Sequence, residues 1–563
     1  MCGILLCTST NYEKFSSFDH SALDNRGLVS LPMRDFSLGG IEYKAYGSIF
    51  LIQNPAFCSR PSEVPDSILL WNGRVYNHQS SVSDTQYIVE KLTACDGSTD
   101  AIIRLFGPIC GPFAFILVKR SAKRIFFGRD KFGRRSLVCN SDLSHLGSLC
   151  RSDNGIFTEV PASGIYVASA TTGGGFRVDS WYPWSEDHLQ FWLSHPFNAS
   201  VKSESVLSHS ELRTLQHFDR HEPANILLSL LKEAVAVGVR LVAPTCQTCF
   251  KSGTKSSCLH TRIGVLFSGG LDSAVIAALA DGCLPPDQPV DLINVAFQHL
   301  QRGNRRSKRR GGCDADTASQ QKYASPDSAP DRQTALSSFE ELRQLNPNRH
   351  WHLVLADVSV EELKTVRRER VRNLLKPSPE TTLNDSLSLA LWFAARGCGR
   401  LICNQNCLSD SQCSTYRSPA WVLLTGMGAD EQLAGYTRHR NTFVQQGSKA
   451  VEAELALEMQ RISERNLGRD DRVISDHGRE AHYPFLDERI VHYLALLPLE
   501  NKADLTLHRG EGEKQLLRAV ATSLGLWTAA RLPKRALQFG SRVAKSESLH
   551  KVVGADSNVL NAE

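Results

Sequence analysis

The sequence predicts an α/β protein with at least two domains. Its 563 residues, of which 42% are hydrophobic, are enough for two to four separate cores. Two apolar strands, at 262–267 and 422–424, each end in a glycine-rich turn that leads toward a helix-forming segment. Strands that lead into helices in this way are typical of a doubly wound sheet, in which both turns would lie at the crevice where the strand order reverses.

Composition argues against several functional classes. No run of about eighteen apolar residues occurs, so we expect no membrane-spanning helix, and we expect no signal peptide because the start lacks its basic and apolar regions. The 16 cysteines are spread along the chain and predict cytosolic thiols. A formal charge of +5 is small for this length and gives no support to a nucleic-acid partner. We therefore expect a cytoplasmic protein, with the nucleus as an alternative, and the oligomeric state stays open.

The chain begins Met1-Cys2-Gly3, directly before an apolar strand. Removal of Met1 would make Cys2 the N-terminal residue, with a thiol and a free α-amine on one residue. An amine with a pKa of about 8 can accept the proton of a thiol with a pKa of about 8.5, so such a residue is a compact nucleophile and base. The alternative is an ordinary buried strand with a core cysteine.

A second strand runs from Leu69 into Asn72 and Gly73. The Asn-Gly pair predicts a tight turn, which would present a side-chain amide and a backbone N–H together as the donors of an oxyanion hole. A plain hairpin turn is the alternative. Residues 83–85 open a predicted helix, and a predicted strand follows at 113–118.

The segment after strand 262–267 predicts a phosphate-binding loop. It reads Ser-Gly-Gly-Leu-Asp-Ser over residues 268–273. Glycines let the backbone approach an anion, and the following helix offers unpaired N–H groups. A Walker loop would need a lysine after its second glycine, whereas this loop carries Asp272, an oxygen ligand suited to Mg²⁺. The combination matches the loop of enzymes that cleave ATP between its α and β phosphates.

The turn after strand 422–424 carries Thr425 and Gly426 and then the carboxylates Asp430 and Glu431. If the two turns are adjacent, Asp272 and Asp430 would share Mg²⁺ and the pyrophosphate. The phosphate-binding residues that these turns predict are Ser268, Gly269, Gly270, Asp272 and Ser273.

In their order and spacing, these segments resemble a known enzyme family. Residues 2–185 resemble the class II glutamine amidotransferase domain, and residues 225–545 resemble the synthetase domain of the glutamine-dependent asparagine synthetases. The resemblance implies an α+β N-terminal nucleophile fold, a four-layer sandwich, followed by a doubly wound α/β ATP-pyrophosphatase domain. Further segments that carry it are 471–472, 483–487, 513–518 and 532–535. A linker at 186–224, a low-complexity insertion at 299–338 and a tail at 546–563 complete the predicted organisation.

For the first domain, the resemblance implies hydrolysis of glutamine to ammonia. Cys2 would attack the side-chain amide of glutamine. Asn72 and the N–H of Gly73 would stabilise the oxyanion, and Asp84 would hold the substrate's ammonium group.

For the second domain, the resemblance implies ATP and Mg²⁺ as cofactors and aspartate as the expected acceptor. ATP would lie on residues 268–273 with its adenine near Val295, and Lys534 would stabilise the transition state of adenylation. The implied ATP- and pyrophosphate-binding residues are Phe267, Ser268, Gly269, Gly270, Asp272, Ser273, Val295, Thr425 and Gly426. Ammonia would then attack the acyl-adenylate, which is β-aspartyl-AMP in the family.

Besides the early loop at 25–30, which keeps Arg-Gly but lacks the Pro-Asp that usually follows it, three features depart from the family pattern. Arg74 stands where a glutamate usually follows Asn-Gly, which replaces a carboxylate by a cation. The strand at 46–53 contains no basic residue, although the family grips the glutamine carboxylate with an arginine there. Met427 replaces an acidic residue in the second turn, and a thioether is a poor ligand for Mg²⁺.

Two further features have alternative interpretations. Cys246, Cys249, Cys258 and His260 are either four ligands of a structural zinc or incidental residues of an exposed linker. The basic run at 302–310 is either part of a solvated insertion or a segment for nuclear targeting or RNA contact.

Three functional hypotheses follow. The first is a glutamine-hydrolysing, ATP-dependent synthetase of asparagine or a related amide. The second is a catalytically weakened pseudoenzyme that acts as a ligand sensor or scaffold, because of the three departures. The third is an ATP pyrophosphatase that modifies another acceptor such as RNA.

Overall fold

The computed structural model describes residues 3–26, 29–30, 33–38, 40–49, 62–64, 66–78, 83–152, 155–184, 221–240, 242–254, 257–300, 323–403 and 415–546. We call residues 3–184 the first half and residues 221–546 the second half. Four features that the sequence singled out lie outside the described residues, namely Cys2, most of the linker, the basic run at 302–310 and nearly all of the tail.

The described first half contains two antiparallel sheets and four helices. Its strands are β1 Ile4–Thr8, β2 Val29–Ser30, β3 Arg34–Leu38, β4 Ile41–Ile49, β5 Ser62–Val64, β6 Ser67–Gly73, β7 Phe113–Lys119, β8 Arg124–Arg129, β9 Val138–Asn140, β10 His145–Gly147, β11 Phe157–Glu159, β12 Gly164–Ala170 and β13 Phe176–Pro183. Its helices are α1 Ser9–Tyr12, α2 Ser17–Asn25, α3 Asp84–Ala94 and α4 Thr99–Phe106.

The two sheets pack face to face as the inner layers of a four-layer sandwich. One has the strand order β11-β9-β10-β1-β4-β2, with β3 also paired to β4, and the other has the order β13-β12-β8-β7-β6-β5. Alternate residues such as Leu6 of β1 and Ile116 of β7 meet in the shared core. The outer face of the second sheet packs on α3 and α4, and the outer face of the first packs on α2 and on helices of the second half. This arrangement agrees with the fold that the resemblance implied.

One local prediction for this half was wrong. Asn72 and Gly73 do not form a tight turn, because both belong to β6, where Gly73 pairs with Phe113 of β7. A Cβ at position 73 would lie 2.5 Å from the Cβ of Phe113 and 2.6 Å from the carbonyl oxygen of Pro112. The glycine therefore serves the close approach of two strands rather than a reversal of the chain.

The described second half is built around one mostly parallel sheet. Its strands are β14 Ile263–Leu266, β15 Val290–Phe297, β16 His299–Leu300, β17 Tyr323–Ala324, β18 Trp351–Val358, β19 Cys398–Cys403, β20 Tyr416–Arg417, β21 Val422–Leu424 and β22 Glu480–His482. Its α-helices are α5 His221–Arg240, α6 Gln247–Lys251, α7 Leu271–Cys283, α8 Pro330–Leu345, α9 Val360–Val366, α10 Arg372–Leu375, α11 Thr382–Arg396, α12 Ala429–Gln432, α13 Thr437–Gln446, α14 Ser448–Ile462, α15 Gly468–Ser475, α16 Glu488–Leu496, α17 Leu499–Lys502, α18 Gln515–Ser523 and α19 Leu537–Gly540. Short 3₁₀ and π segments join several of these helices.

The strand order of this sheet is β20-β19-β18-β15-β14-β21-β22. The five strands from β18 to β22 in that order run parallel, and helices cover both faces. The chain builds outward from β14 to β18, then returns to place β21 on the other side of β14. The order therefore reverses between β14 and β21, which is the switch point of the predicted doubly wound fold.

Two predicted boundaries in this half need correction. Helix α5 begins at residue 221, inside the predicted linker. Helix α8 begins at residue 330, inside the predicted low-complexity insertion, and buries Ala335, Phe339 and Leu342. Its polar composition conceals a narrow apolar face with helical spacing.

Buried ion pairs join the two halves. Glu480, on β22, is 5% exposed and accepts hydrogen bonds from the guanidinium groups of Arg74 and Arg135. Because opposite charges neutralise each other there, the interface tolerates ionised groups with little contact with water. The ion pairs are Arg26 with Asp471, Arg74 and Arg135 with Glu480, Arg134 with Glu488, and Arg472 with Glu159.

Within the described ranges, none of the helices combines the length and the apolar character that a membrane crossing requires.

We predict that Glu480→Gln lowers the free energy of unfolding by about 3–5 kcal/mol at pH 7, because it removes the nearest counter-ion of two buried guanidinium groups and leaves each only a carboxylate at 3.7 Å. Burial would raise the pKa of Glu480, but Arg74 and Arg135 hold it well below the usual 4.5. Since the pKa is lower in the folded protein, the stability from Glu480 is full above pH 4.5 and is lost as the pH falls toward the folded-state value.

Denaturant unfolding at a series of pH values measures this effect. The exposed Glu464→Gln is the matched control and should change stability by less than about 0.5 kcal/mol. A Glu480→Gln protein as stable as the control at pH 7 would contradict the role of this carboxylate.

Candidate active site

The predicted phosphate loop lies at the switch point, between β14 and α7. Gly269 has a φ of +75°, and a Cβ there would lie 2.4 Å from the backbone of residues 334 and 335, so only glycine fits. Gly270 is the N-cap of α7 and makes no side-chain cap hydrogen bond. The first N–H groups of α7 therefore lack a side-chain cap at the end where the helix dipole favours an anion.

Helix α8 supports this loop from the side. Ser338 donates a hydrogen bond of 2.6 Å to the carbonyl oxygen of Gly269. Asn294, on β15, donates to the carbonyl oxygen of Phe267 and accepts from Arg332 of α8 at 2.7 Å. Helix α8, whose first part was predicted to be a low-complexity insertion, therefore helps to hold the loop in place.

The second loop packs directly against the first. Gly426 follows β21, and a Cβ there would lie 2.7 Å from the Cβ of Asp272. Thr425 is buried, donates its N–H to the carbonyl oxygen of His482, and accepts from the N–H of Met427 through its hydroxyl. The expectation that the two turns lie side by side is confirmed.

Two carboxylates and two lysines meet where these loops touch. The Nζ of Lys514 lies 2.6 Å and 2.7 Å from the two carboxylate oxygens of Asp272. It also lies 2.6 Å from Oδ1 of Asp430, and the Nζ of Lys534 contacts the other oxygen of Asp430. We call these four residues the charge cluster.

The charge cluster fixes the protonation of Asp430 and Lys534. Burial would raise the pKa of Asp430, but the ammonium groups of Lys514 and Lys534 hold it well below its usual range. Burial would lower the pKa of Lys534, but Asp430 and Asp272 hold it above its usual range. Both groups are therefore charged across the physiological pH range.

Glu431 beside the cluster has the opposite tendency. Burial, and then the charge of Asp430, raise the pKa of Glu431. Its carboxylate accepts a hydrogen bond of 2.6 Å from the hydroxyl of Tyr436 and a longer one from Asn466. Two adjacent carboxyl groups thus have different proton affinities because only Asp430 contacts the lysines.

The carboxylates of the charge cluster are suited to bind the predicted Mg²⁺. Three carboxylate oxygens from two loops converge within 2.7 Å of one ammonium nitrogen, so these loops already position oxygen donors around a positive charge. Carboxylate oxygens are the ligands that Mg²⁺ prefers. Asp272 and Asp430 are the residues that would hold it.

Other predicted site residues have varied surroundings. Val295 is buried within β15, and the position of adenine near it stays a prediction. Met427, where the family has an acidic residue, packs against the apolar cluster behind the loop. Ser268 accepts a hydrogen bond from the N–H of Gly270, and Ser273 donates one to the carbonyl oxygen of Gly270.

Sequence reasoning missed the part that Lys514 plays. It lies in the segment 513–518, which contributed to the resemblance but suggested no role. No short-range pattern connects it with Asp272, because the two residues meet only when α18 packs beside α7. The position of Lys514, a charged residue directly before the amphipathic helix α18, was the sequence feature that could have indicated a role for it.

The candidate glutamine site is occupied by an ion pair. Asp84, the predicted ligand of the substrate's ammonium, accepts a hydrogen bond from the N–H of Val75 and lies 3.7 Å from Nη1 of Arg74. Burial raises the pKa of Asp84 to about 6, although Arg74 lowers it. Asn72, two residues before Arg74 in the chain, is fully buried. The cation that replaces the family's glutamate thus contacts Asp84 on one side and Glu480 on the other.

Comparisons with known proteins agree with this architecture. A family model described as asparagine synthase matches residues 259–341 and 441–538. Asparagine synthetase domain-containing protein 1 of Mus musculus is 36% identical, with 97% of each chain covered. The protein of that name from Homo sapiens is 37% identical over 86% of this chain and 85% of its own. The glutamine-hydrolyzing asparagine synthetase of Pongo abelii is 22% identical over 83% of this chain and 71% of its own.

We predict that Gly426→Ala separates the two loops and lowers stability by about 1–3 kcal/mol, because the new methyl group overlaps the Asp272 side chain. The stabilisation of the protein by ATP and Mg²⁺ in thermal unfolding should fall with it. Gly282→Ala, in α7, is the matched control, since a Cβ there meets nothing within 4 Å. Equal stabilisation by nucleotide in the two variants would show that ATP binds elsewhere.

Proposed function

Because the chain belongs to the family of asparagine synthetase domain-containing protein 1, we propose that it is an ATP-dependent amide ligase that uses ammonia from glutamine to make asparagine or a related amide. The observation that carries the proposal is the charge cluster, in which Asp272, Asp430, Lys514 and Lys534 meet beside an uncapped helix N-terminus at the switch point. An amide ligase that splits ATP to pyrophosphate needs such a concentration of charge next to a phosphate cradle.

In the proposed reaction, the phosphates of ATP bind along residues 268–273. The N-terminal N–H groups of α7 donate to phosphate oxygens, and Lys534 stabilises the negative charge that develops at the α-phosphate. When bound by Asp272 and Asp430, Mg²⁺ would offset the charge of the pyrophosphate. Lys514 holds these two carboxylates in place before the nucleotide arrives.

The acceptor carboxylate then reacts in two steps. One of its oxygens attacks the α-phosphorus, and the bond to the β-phosphate oxygen breaks to release pyrophosphate. Ammonia attacks the carbonyl carbon of the resulting acyl-adenylate, loses a proton and expels AMP. Asp84 and Asn72 support a source of that ammonia in the first half, with Cys2 as the nucleophile that hydrolyses glutamine.

A specific observation favours the pseudoenzyme as the second candidate. Arg74 neutralises Asp84, and the same guanidinium is bound to Glu480 across the interface. A carboxylate that is already paired with a buried arginine attracts the α-amino group of glutamine less strongly. This weakens the glutaminase half and leaves the ATP half intact, so the sensor hypothesis would retain ATP binding.

The RNA-acceptor hypothesis has no comparable support. The basic run at 302–310 was the one feature that favoured it, and this run lies outside the described residues. That hypothesis stays a prediction from sequence.

We predict that Asp272→Asn weakens the binding of ATP with Mg²⁺ by about 1–3 kcal/mol, the range for loss of a charge-assisted contact. Titration calorimetry with ATP, with and without Mg²⁺, measures the change. Asp287→Asn is the matched control, because Asp287 is exposed and lies beyond the end of α7. Unchanged affinity in the Asp272 variant would show that this loop is not the phosphate site.

We further predict that the purified protein, given ATP, Mg²⁺ and aspartate, releases AMP, pyrophosphate and asparagine faster with ammonium than with glutamine. The reason is that Arg74 and the missing basic residue at 46–53 bear on the recognition of glutamine and not on that of ATP. The three products and glutamate are quantified in parallel for each nitrogen donor.

The outcomes separate the candidates. Equal rates with both donors would contradict the account of the glutamine site. ATP binding without AMP release, with aspartate and either donor, would favour the pseudoenzyme. AMP release that depends on an acceptor other than aspartate would retain the ligase and change its substrate.

A further inference from the structure

A cluster of metal-ligating side chains lies outside the candidate active site, in the loop between α5 and β14. The sulfur atoms of Cys246, Cys249 and Cys258 and one ring nitrogen of His260 all lie within 4.8 Å of one another. All three cysteines are free thiols. The four residues come from two short segments of the chain that the fold brings together.

The spacing of these atoms is close to that of a metal site. Four ligands that surround zinc tetrahedrally at about 2.3 Å lie roughly 3.8 Å apart. The Sγ of Cys249 is already 3.2 Å from Nδ1 of His260. Side-chain rotations that move the ligand atoms by about an ångström are therefore enough to bring all four around one ion.

The backbone around the sulfurs is organised for thiolates. Cys246 is the N-cap of α6, and its sulfur accepts a hydrogen bond of 3.4 Å from the N–H of Cys249. The sulfur of Cys258 accepts one of 3.1 Å from the N–H of Cys246. Hydrogen bonds of this kind orient ligands and disperse the negative charge of metal-bound sulfur.

The surrounding loop is attached to the body of the protein on both sides of the cluster. Trp421 donates a hydrogen bond of 2.6 Å to the carbonyl oxygen of Thr245, and Gln288 donates one of 2.6 Å to the carbonyl oxygen of His260. Cys246 is buried, whereas His260 is exposed. A metal can therefore reach the cluster from solvent while the backbone that holds it stays fixed.

We propose that Cys246, Cys249, Cys258 and His260 bind one structural zinc ion, which fastens the loop directly before β14. Three thiolates and an imidazole are a ligand set that selects zinc among the divalent ions of the cell. Four protein ligands leave no open position for water, so the site is structural rather than catalytic. This proposal is independent of the proposed ligase activity.

The consequence for the active site follows from chain order. His260 is separated from the first residue of β14 by two residues, and β14 leads into the phosphate loop. Thr261, between them, donates a hydrogen bond to Asp291 of β15. The zinc ion would anchor the N-terminal end of β14, and the C-terminal end of β14 leads into the predicted phosphate site.

The first test is the metal content of the full-length chain, purified under reducing conditions without chelator. We expect one zinc per chain by elemental analysis, with loss of most of it in Cys249→Ser and in Cys258→Ser. Cys283→Ser is the matched control, because Cys283 is a partly buried free thiol in α7 outside the cluster. Zinc that persists in both ligand variants, or is lost equally in the control, would overturn the proposal.

The second test distinguishes a bound metal from a merely structural role of the thiols. Replacement of zinc by Co²⁺ should give the thiolate-to-cobalt charge-transfer band and the intense visible bands of tetrahedral coordination. His260→Cys should retain one metal per chain and shift these bands, because a fourth thiolate replaces the imidazole. His260→Ala should weaken metal binding without loss of the folded state.

Two results would reject the site. One is a disulfide between two of these cysteines in the protein as purified, seen as a loss of two hydrogens by intact mass. The other is a metal-free protein that gains neither stoichiometric Co²⁺ nor thermal stability when the metal is added.

Discussion

The candidate active site depends on the parallel pairing of β14 with β21, two strands that are far apart in the sequence. Parallel strands present their carboxyl ends at the same edge of a sheet, so this pairing brings the phosphate loop and the second loop into contact. Contact places the partly exposed Asp272 and the buried Asp430 around the same ammonium group, and without that group the two carboxylates would repel each other. Lys514 and Lys534 remove that repulsion. Because both lysines come from the last part of the described chain, the site is complete only when the C-terminal helices have packed against the sheet.

The same sheet connects the site to the first half. Strand β22 pairs with β21, and the N–H of Thr425 donates to the carbonyl oxygen of His482 at the end of β22. The first residue of β22 is Glu480, which binds Arg74, and Arg74 in turn contacts Asp84. The two candidate sites are therefore joined through the backbone of β22, with a hydrogen bond at one of its ends and ion pairs at the other. Arg74 is the residue that completes this connection, so its charge has a structural use whatever its effect on glutamine.

Sequence predicted most of this architecture where the signal is local. The phosphate loop, its strand and its helix lie in one continuous segment, and apolar runs, glycines and a helix-forming stretch mark them directly. Prediction failed where contacts between distant parts of the chain determine the conformation or the role of a residue. Asn72 and Gly73 have the composition of a turn, but pairing with β7 keeps both in a strand. Helix α8 has a polar composition, and its apolar face becomes evident only when Ala335 and Phe339 pack on the sheet. Lys514 was missed for the same reason, because its partners are distant in the sequence.

The backbone at Lys514 bears on whether the charge cluster has a use beyond stability. Its φ of +54° lies in the left-handed region, which costs a non-glycine residue on the order of 1 kcal/mol. Gly435 makes room beside it, since a Cβ there would lie 2.4 Å from Cε of Lys514 and 2.0 Å from Oδ1 of Asp430. A strained lysine and an obligatory glycine both serve to hold two carboxylates around one positive charge. A protein that only needed a stable core could fill this volume with apolar side chains at lower cost. Strain and buried charge at one point therefore favour a protein that uses this cluster to bind a ligand, as the ligase or as the sensor, over a scaffold that binds none.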